Sequence, residues 1–127
     1  MDPLVDAAVS ARENARASFS GFRVGAAIED AEGRLHTGCN IENATLGLTV
    51  CAERVALFKA LSEGVRTFRR IAIATDSETL TPPCGACRQL LWEFCGDVGV
   101  ILANLRGKTE SLRLKDLFPR PFDASSL

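Results

Sequence analysis

The sequence lacks any apolar run near the ~20 residues that a membrane-spanning helix needs. It also lacks a charge bias: 15 basic and 16 acidic side chains leave a formal net charge of -1. A nucleic-acid or membrane surface held by bulk charge is therefore not expected. The opening residues Met1-Asp2-Pro3-Leu4 have no charged-then-apolar targeting pattern, so the expectation is a soluble, cytoplasmic protein. Internal repeats, low-complexity segments and domain boundaries are missing too, and residues 1–127 read as one domain with a modest core. Five cysteines are an odd count, whereas a secreted disulfide framework more often uses an even count in a shorter chain. Gly107-Lys108-Thr109 resembles the end of a phosphate loop, but Leu102 stands where the upstream glycine is needed, so the segment reads as a turn.

What remains is a regular alternation of elements. Leu4 to Ala17 is predicted as a helix, and Arg23 to Ile28 and Arg34 to Gly38 as a hairpin about Asp30-Ala31-Glu32-Gly33. Asn40 to Leu48 reads as a loop. A second helix runs from Cys51 to about Glu63, with Ala52, Val55, Phe58 and Leu61 expected on its buried side. The apolar run Arg70 to Thr75 is an inner strand. A third helix spans about Cys84 to Phe94, and Val98 to Ala103 and Ser111 to Leu114 are further strands. That order predicts an α/β layered domain around one mixed sheet, with parallel strand-helix-strand steps.

Two short motifs carry the chemistry. Thr49-Val50-Cys51-Ala52-Glu53-Arg54 places a thiol two residues before a carboxylate at a helix start, and Pro83-Cys84-Gly85-Ala86-Cys87-Arg88 places two thiols on one side of another first turn. Helix N-termini carry partial positive charge and favour thiolates. Two such ends facing each other make a three-thiolate pocket, which leaves zinc a fourth position for water. Glu53 is close enough to reach that water and poorly placed to share the metal, as a general acid/base requires. Three thiolates make the site net negative, and Arg54 and Arg88 are candidates to withdraw charge from the sulfurs. The layout resembles that of zinc-dependent nucleobase deaminases, whose usual signature begins with His where this chain has Cys51. Duller readings stand beside it. The C-x-x-C could be a redox pair, Glu53 could simply favour the helix dipole, and a structural zinc site could take a fourth ligand from His36, Cys39 or Cys95.

With these residues in hand, the chain resembles the cytidine deaminases, in particular the small homotetrameric class with three cysteine ligands. The likeness runs through Phe22-Arg23-Val24-Gly25-Ala26-Ala27, Gly38-Cys39-Asn40-Ile41-Glu42-Asn43-Ala44, both zinc motifs, and the tail from Asp116-Leu117-Phe118-Pro119 to Phe122. The resemblance implies a three-layer fold with a five-stranded mixed sheet flanked by helices. It implies one zinc ion per subunit on Cys51, Cys84 and Cys87, and Glu53 as the proton shuttle. It implies that Asn40 and Glu42 hydrogen-bond the ribose 3'-hydroxyl, that Ala52 lies against the substrate and that Phe22 packs on the pyrimidine. Phe122 would be contributed to a neighbouring subunit's site in a homotetramer. Leu46 departs from the tyrosine common in relatives. The implied reaction is hydrolysis of cytidine and 2'-deoxycytidine to uridine and 2'-deoxyuridine plus ammonia, in pyrimidine salvage.

Three rivals are weighed against it. A deaminase of a nucleoside analogue, such as the blasticidin S type, shares the zinc motifs, but Asn40-Ile41-Glu42 argues against it. A polynucleotide deaminase would want a basic patch, and the short turn before the last strand predicts a hairpin that closes the sheet. An inactive zinc-stabilised scaffold would have no use for Glu53.

Overall fold

The computed structural model describes residues 2–127, with Met1 outside them. Helix α1 (Pro3–Arg12) starts where Asp2 accepts the Leu4 N–H at 3.0 Å, with Pro3 in the first helical position. It ends at Arg12, five residues short of the expectation. The backbone beyond is drawn elsewhere: Arg16 N–H donates to the Asn40 carbonyl at 3.0 Å, and Glu42 N–H to the Arg16 carbonyl at 2.8 Å. Tertiary pairing with residues 40–42 overrides helix propensity there.

The strands β1 (Val24–Asp30) and β2 (Leu35–Cys39) form the expected hairpin, with Ala26 opposite Gly38. Then follow α2 (Ala52–Ser62), β3 (Phe68–Thr75), α3 (Gly85–Cys95), β4 (Gly99–Asn104), β5 (Thr109–Arg113) and the short α4 (Leu114–Leu117). The sheet order is β2-β1-β3-β4-β5. The β3–β4 pair, joined through α3, is parallel, and the other pairs are antiparallel. This is the five-stranded mixed sheet of the expectation, including the closing β4–β5 hairpin. None of the described helices is long and apolar enough to cross a membrane.

Side-chain alternation along the strands makes three layers. Ala26, Ile28, Ile71, Ile73, Val100 and Leu102 point to the side covered by α2 and α3. Their neighbours Ala27, Ala72, Ala74, Ile101 and Ala103 point the other way, against Leu4, Val5 and Ala8 of α1. The layers approach closely at two glycines. A Cβ built on Gly25 would sit 2.0 Å from the Ala8 carbonyl oxygen of α1, and one on Gly38 would sit 2.5 Å from the Ala56 nitrogen of α2.

That contact explains a second difference. The buried side of α2 is Ala52, Glu53, Ala56, Leu57 and Ala60, while Val55 and Leu61 are half-buried and Phe58 is exposed. Alanines let the helix lie against the sheet at Gly38, so the face chosen is the one with small side chains, not the one with the largest apolar ones.

Candidate active site

The parallel β3–α3–β4 unit fixes where the site forms. β3 ends at the buried Thr75, and the chain returns to start α3 above that end, at the carboxyl edge of the strands where α/β sheets place their ligands. Cys84 is the N-cap of α3, and its sulfur accepts the Cys87 N–H at 3.4 Å. Cys51 is the N-cap of α2. The two helix starts therefore bring three sulfurs together. Cys51 Sγ lies 3.9 Å from Cys84 Sγ, Cys84 Sγ lies 3.3 Å from Cys87 Sγ, and all three fall within 4.8 Å of one another.

Zinc held by sulfur at about 2.3 Å in a tetrahedron separates its sulfurs by roughly 3.8 Å, so the cluster has the right scale. Among the described residues no fourth His, Cys, Asp or Glu joins it. His36 is held by Asp30 at 3.0 Å instead, and Cys39 and Cys95 lie outside the cluster. The donor set thus fits a zinc ion with an open position. The surrounding charge fits too. Arg54 lies against Cys87, which pushes its pKa up, and its buried Nε has no hydrogen-bond partner among the described residues. Arg88 is engaged differently from the expectation: its Nε donates to the Pro83 carbonyl at 2.8 Å and an Nη to the Leu117 carbonyl at 2.6 Å. These bonds tie the α3 start to the end of α4, so the Arg88 guanidinium is spent on backbone carbonyls and not on sulfur.

Electrostatics separate the groups by role. Hydrogen bonds from the Cys87 and Cys84 thiols, with the charge of Arg54, bring Cys51 down to about 6. Cys87, which supplies the first of those bonds and is itself buried, is pushed up. Glu53, 5% exposed, rises to about 7, chiefly because burial penalises its charge, with the Cys51 thiolate adding to the effect. A carboxyl group poised there can both take and give a proton near neutrality.

Beside the sulfurs is a cavity of about 210 Å³. Of the sequence-predicted residues, Phe22, Asn40, Cys51, Ala52, Glu53 and Cys84 line it. Its apolar walls, Val24, Val50, Ile73 and Pro82, carry no sequence signal that distinguishes them from core. Two of the residues predicted to bind substrate do not line it. Phe122 is 59% exposed and does not line the cavity, although its carbonyl is held by Gln89 at 2.8 Å. Glu42 does not line it either, and its carboxylate is bonded to Phe19 and Ser20.

Comparison with known proteins agrees with this geometry. Residues 2–103 match the family model for the cytidine and deoxycytidylate deaminase zinc-binding region. The chain is similar to the cytidine deaminase of Sporosarcina psychrophila, 44% identical over all of this chain and 94% of the relative. It is likewise similar to the cytidine deaminase of Halalkalibacterium halodurans, 46% identical over 98% of this chain and 95% of the relative. Among solved structures, the cytidine deaminase from Burkholderia pseudomallei superposes with a TM-score of 0.92 at 42% identity, covering 96% of this chain and all of that one.

Proposed function

This chain belongs to the cytidine and deoxycytidylate deaminase family, and we propose that it hydrolyses cytidine and 2'-deoxycytidine to uridine and 2'-deoxyuridine plus ammonia. The observation that carries the reading is the buried Glu53 lining one cavity together with Cys51 and Cys84 of the three-cysteine cluster, an aromatic, Phe22, and an amide, Asn40. Cys51, Cys84 and Cys87 hold one zinc ion per subunit. When bound, it supplies Lewis acidity that makes water nucleophilic near neutral pH.

The protein groups do the rest. Glu53 takes a proton from water as the oxygen bonds to C4 of the cytosine ring, and passes it to N3. It takes the second proton and delivers it to the exocyclic nitrogen, the C4–N4 bond breaks and ammonia leaves. Both protons of the water are then accounted for, one on N3 of uridine and one on ammonia. Burial favours these transfers by keeping bulk water away from Glu53 and by raising its pKa from the ordinary carboxylate value. Phe22 packs on the pyrimidine, Ala52 lies against it, and Asn40 and Glu42 read the ribose. Arg54 draws charge from the thiolates.

Relatives named for cytidine at 44% and 46% identity favour this reading over an analogue deaminase or a scaffold. Leu46, Leu48 and Phe122 are exposed, and the proposed homotetramer would cover them and bring Phe122 to a neighbour's site. The proposed setting is the cytoplasm, in pyrimidine salvage. Glu53→Ala tests the mechanism: turnover of cytidine, followed as loss of the cytosine absorbance band, should fall at least about 1,000-fold, on the scale of a lost general acid/base, while zinc content stays at one per subunit. Near wild-type turnover in that variant would overturn the role of Glu53.

A further inference from the structure

Two side chains that the proposed function assigns to the ribose are already committed to the segment that carries the aromatic. The chain from Asn40 to Glu42 is extended, since Ile41 pairs its backbone with Val50, at 3.0 Å and 2.9 Å. Residues two apart on an extended chain face the same side, so Asn40 and Glu42 act together. Asn40 accepts the Val24 N–H on Oδ1 at 2.9 Å and donates Nδ2 to the Phe22 carbonyl at 2.7 Å. Glu42 accepts the N–H groups of Phe19 and Ser20 on Oε1, at 2.9 Å and 3.0 Å, and the Ser20 hydroxyl on Oε2. The same Ser20 oxygen accepts the Phe22 N–H at 3.0 Å.

The arithmetic of lone pairs gives this a direction. A carboxylate offers about four acceptor sites. Three are taken, so one remains on Oε2, and its direction is set by the Ser20 hydroxyl that fills the other. Without that hydroxyl, Oε2 would trade a fixed partner for water, and the carboxylate could rock about its last torsion. Ser20 also holds the N–H of the residue whose carbonyl Asn40 holds, so Phe22 is gripped at both ends. The bond from Ser20 is the first cause of a Glu42 pKa below the ordinary value, which keeps the group an acceptor throughout the neutral range.

We propose that Ser20 is a positioning residue that aims the free acceptor site of Glu42 at the sugar 3'-hydroxyl of the nucleoside and couples that contact to the placement of Phe22. This deepens the proposed function and rests on it. Ser20 is exposed and sits outside the sheet, so Ser20→Ala should fold normally, and a melting temperature close to wild type checks that.

The test compares cytidine with 3'-deoxycytidine. On cytidine, Ser20→Ala should lower kcat/KM roughly tenfold, mostly through KM, as expected for a disordered hydrogen bond to a charged group. On 3'-deoxycytidine, which has no 3'-hydroxyl to read, the loss should be at most about twofold, because Phe22 is still held by Asn40. Ser20→Thr keeps the hydroxyl and should recover most of the loss. An equal loss on both nucleosides, or no loss on either, overturns the positioning role. Wild-type protein is measured alongside: if it turns over cytidine, a failed prediction refutes Ser20 alone, and if it does not, the proposed function falls and this role with it.

Discussion

Replacing Gly38 by alanine should damage the active site from below. Gly38 lies in β2 under the first turns of α2, and a Cβ there would meet the Ala56 nitrogen at 2.5 Å, the Ala52 carbonyl oxygen at 2.6 Å and Val55 Cβ at 2.9 Å. Two of those atoms are helix backbone and cannot swing aside. Ordinary contact begins near 3.4 Å, so α2 must lift by about 0.9 Å at its start, which is a real strain in a close-packed interior. Overpacking of this kind costs about 1–3 kcal/mol. The displaced turn carries Cys51 and Glu53, while Cys84 and Cys87 stay with α3. Metal-ligand distances tolerate only about 0.2 Å, and a ~1 Å misplacement can cost about 100-fold in rate. Gly38→Ala should therefore unfold at lower urea concentration, bind zinc more weakly in competition with a chromogenic chelator, and lose roughly 100-fold in kcat/KM. Gly47→Ala is the control, because nothing lies within 4 Å of its added methyl. A Gly38→Ala protein with wild-type urea midpoint and zinc affinity would refute the close approach of α2 to the sheet.

Three further outcomes are expected. Of the five cysteines, chelation should expose three more to a thiol reagent, namely Cys51, Cys84 and Cys87; an unchanged count would take zinc away from this cluster. Asp30 is held below its ordinary value of 3.8, first by the hydrogen bond to His36 and then by the Arg34 and Glu32 N–H groups. Its stabilisation is thus present above pH 3.8 and is lost as pH falls through the lower folded value. Asp30→Asn should narrow its stability gap to wild type between pH 7 and pH 3 in urea titrations, and a constant gap would contradict this. Light scattering should give four times the chain mass for wild type, and Phe122→Ala should lower kcat/KM; a fully active wild-type monomer would remove the shared-site proposal.

The sequence was most informative where a chemical requirement is local. The cysteines at 51, 84 and 87 sit at spacings that only a helix start turns into a cluster, and both helices begin there. Arg70 to Thr75 is apolar enough to demand cover on both faces, and β3 is the central strand. The misreadings arise where alternatives compete across long separations. Residues 13–17 have helical composition, but the Arg16 backbone is claimed by Asn40 and Glu42. Alanine marks no face of α2, so the large Phe58 carries the stronger apolar signal although Ala56 makes the contact. Arg88 follows a cysteine in sequence yet reaches away to Pro83 and Leu117. Ser20 and Glu42 are 22 residues apart, and nothing in Ser18-Phe19-Ser20-Gly21 distinguishes a clamp from an ordinary turn.

The two helix starts that supply the sulfurs flank β3, and this has a mechanical side. A metal joining Cys51 to Cys84, a sequence separation of 33, closes a ring that contains α2 and the central strand. A pull applied to the two ends of the chain would pass through the metal–sulfur bonds and bypass everything inside the ring. About 110 Å of contour length, the extended reach of those residues, would stay hidden until a thiolate let go. The central strand is therefore sheltered from tension by the same ligands that are proposed to serve the chemistry, so the site doubles as a clasp on the sheet it stands upon.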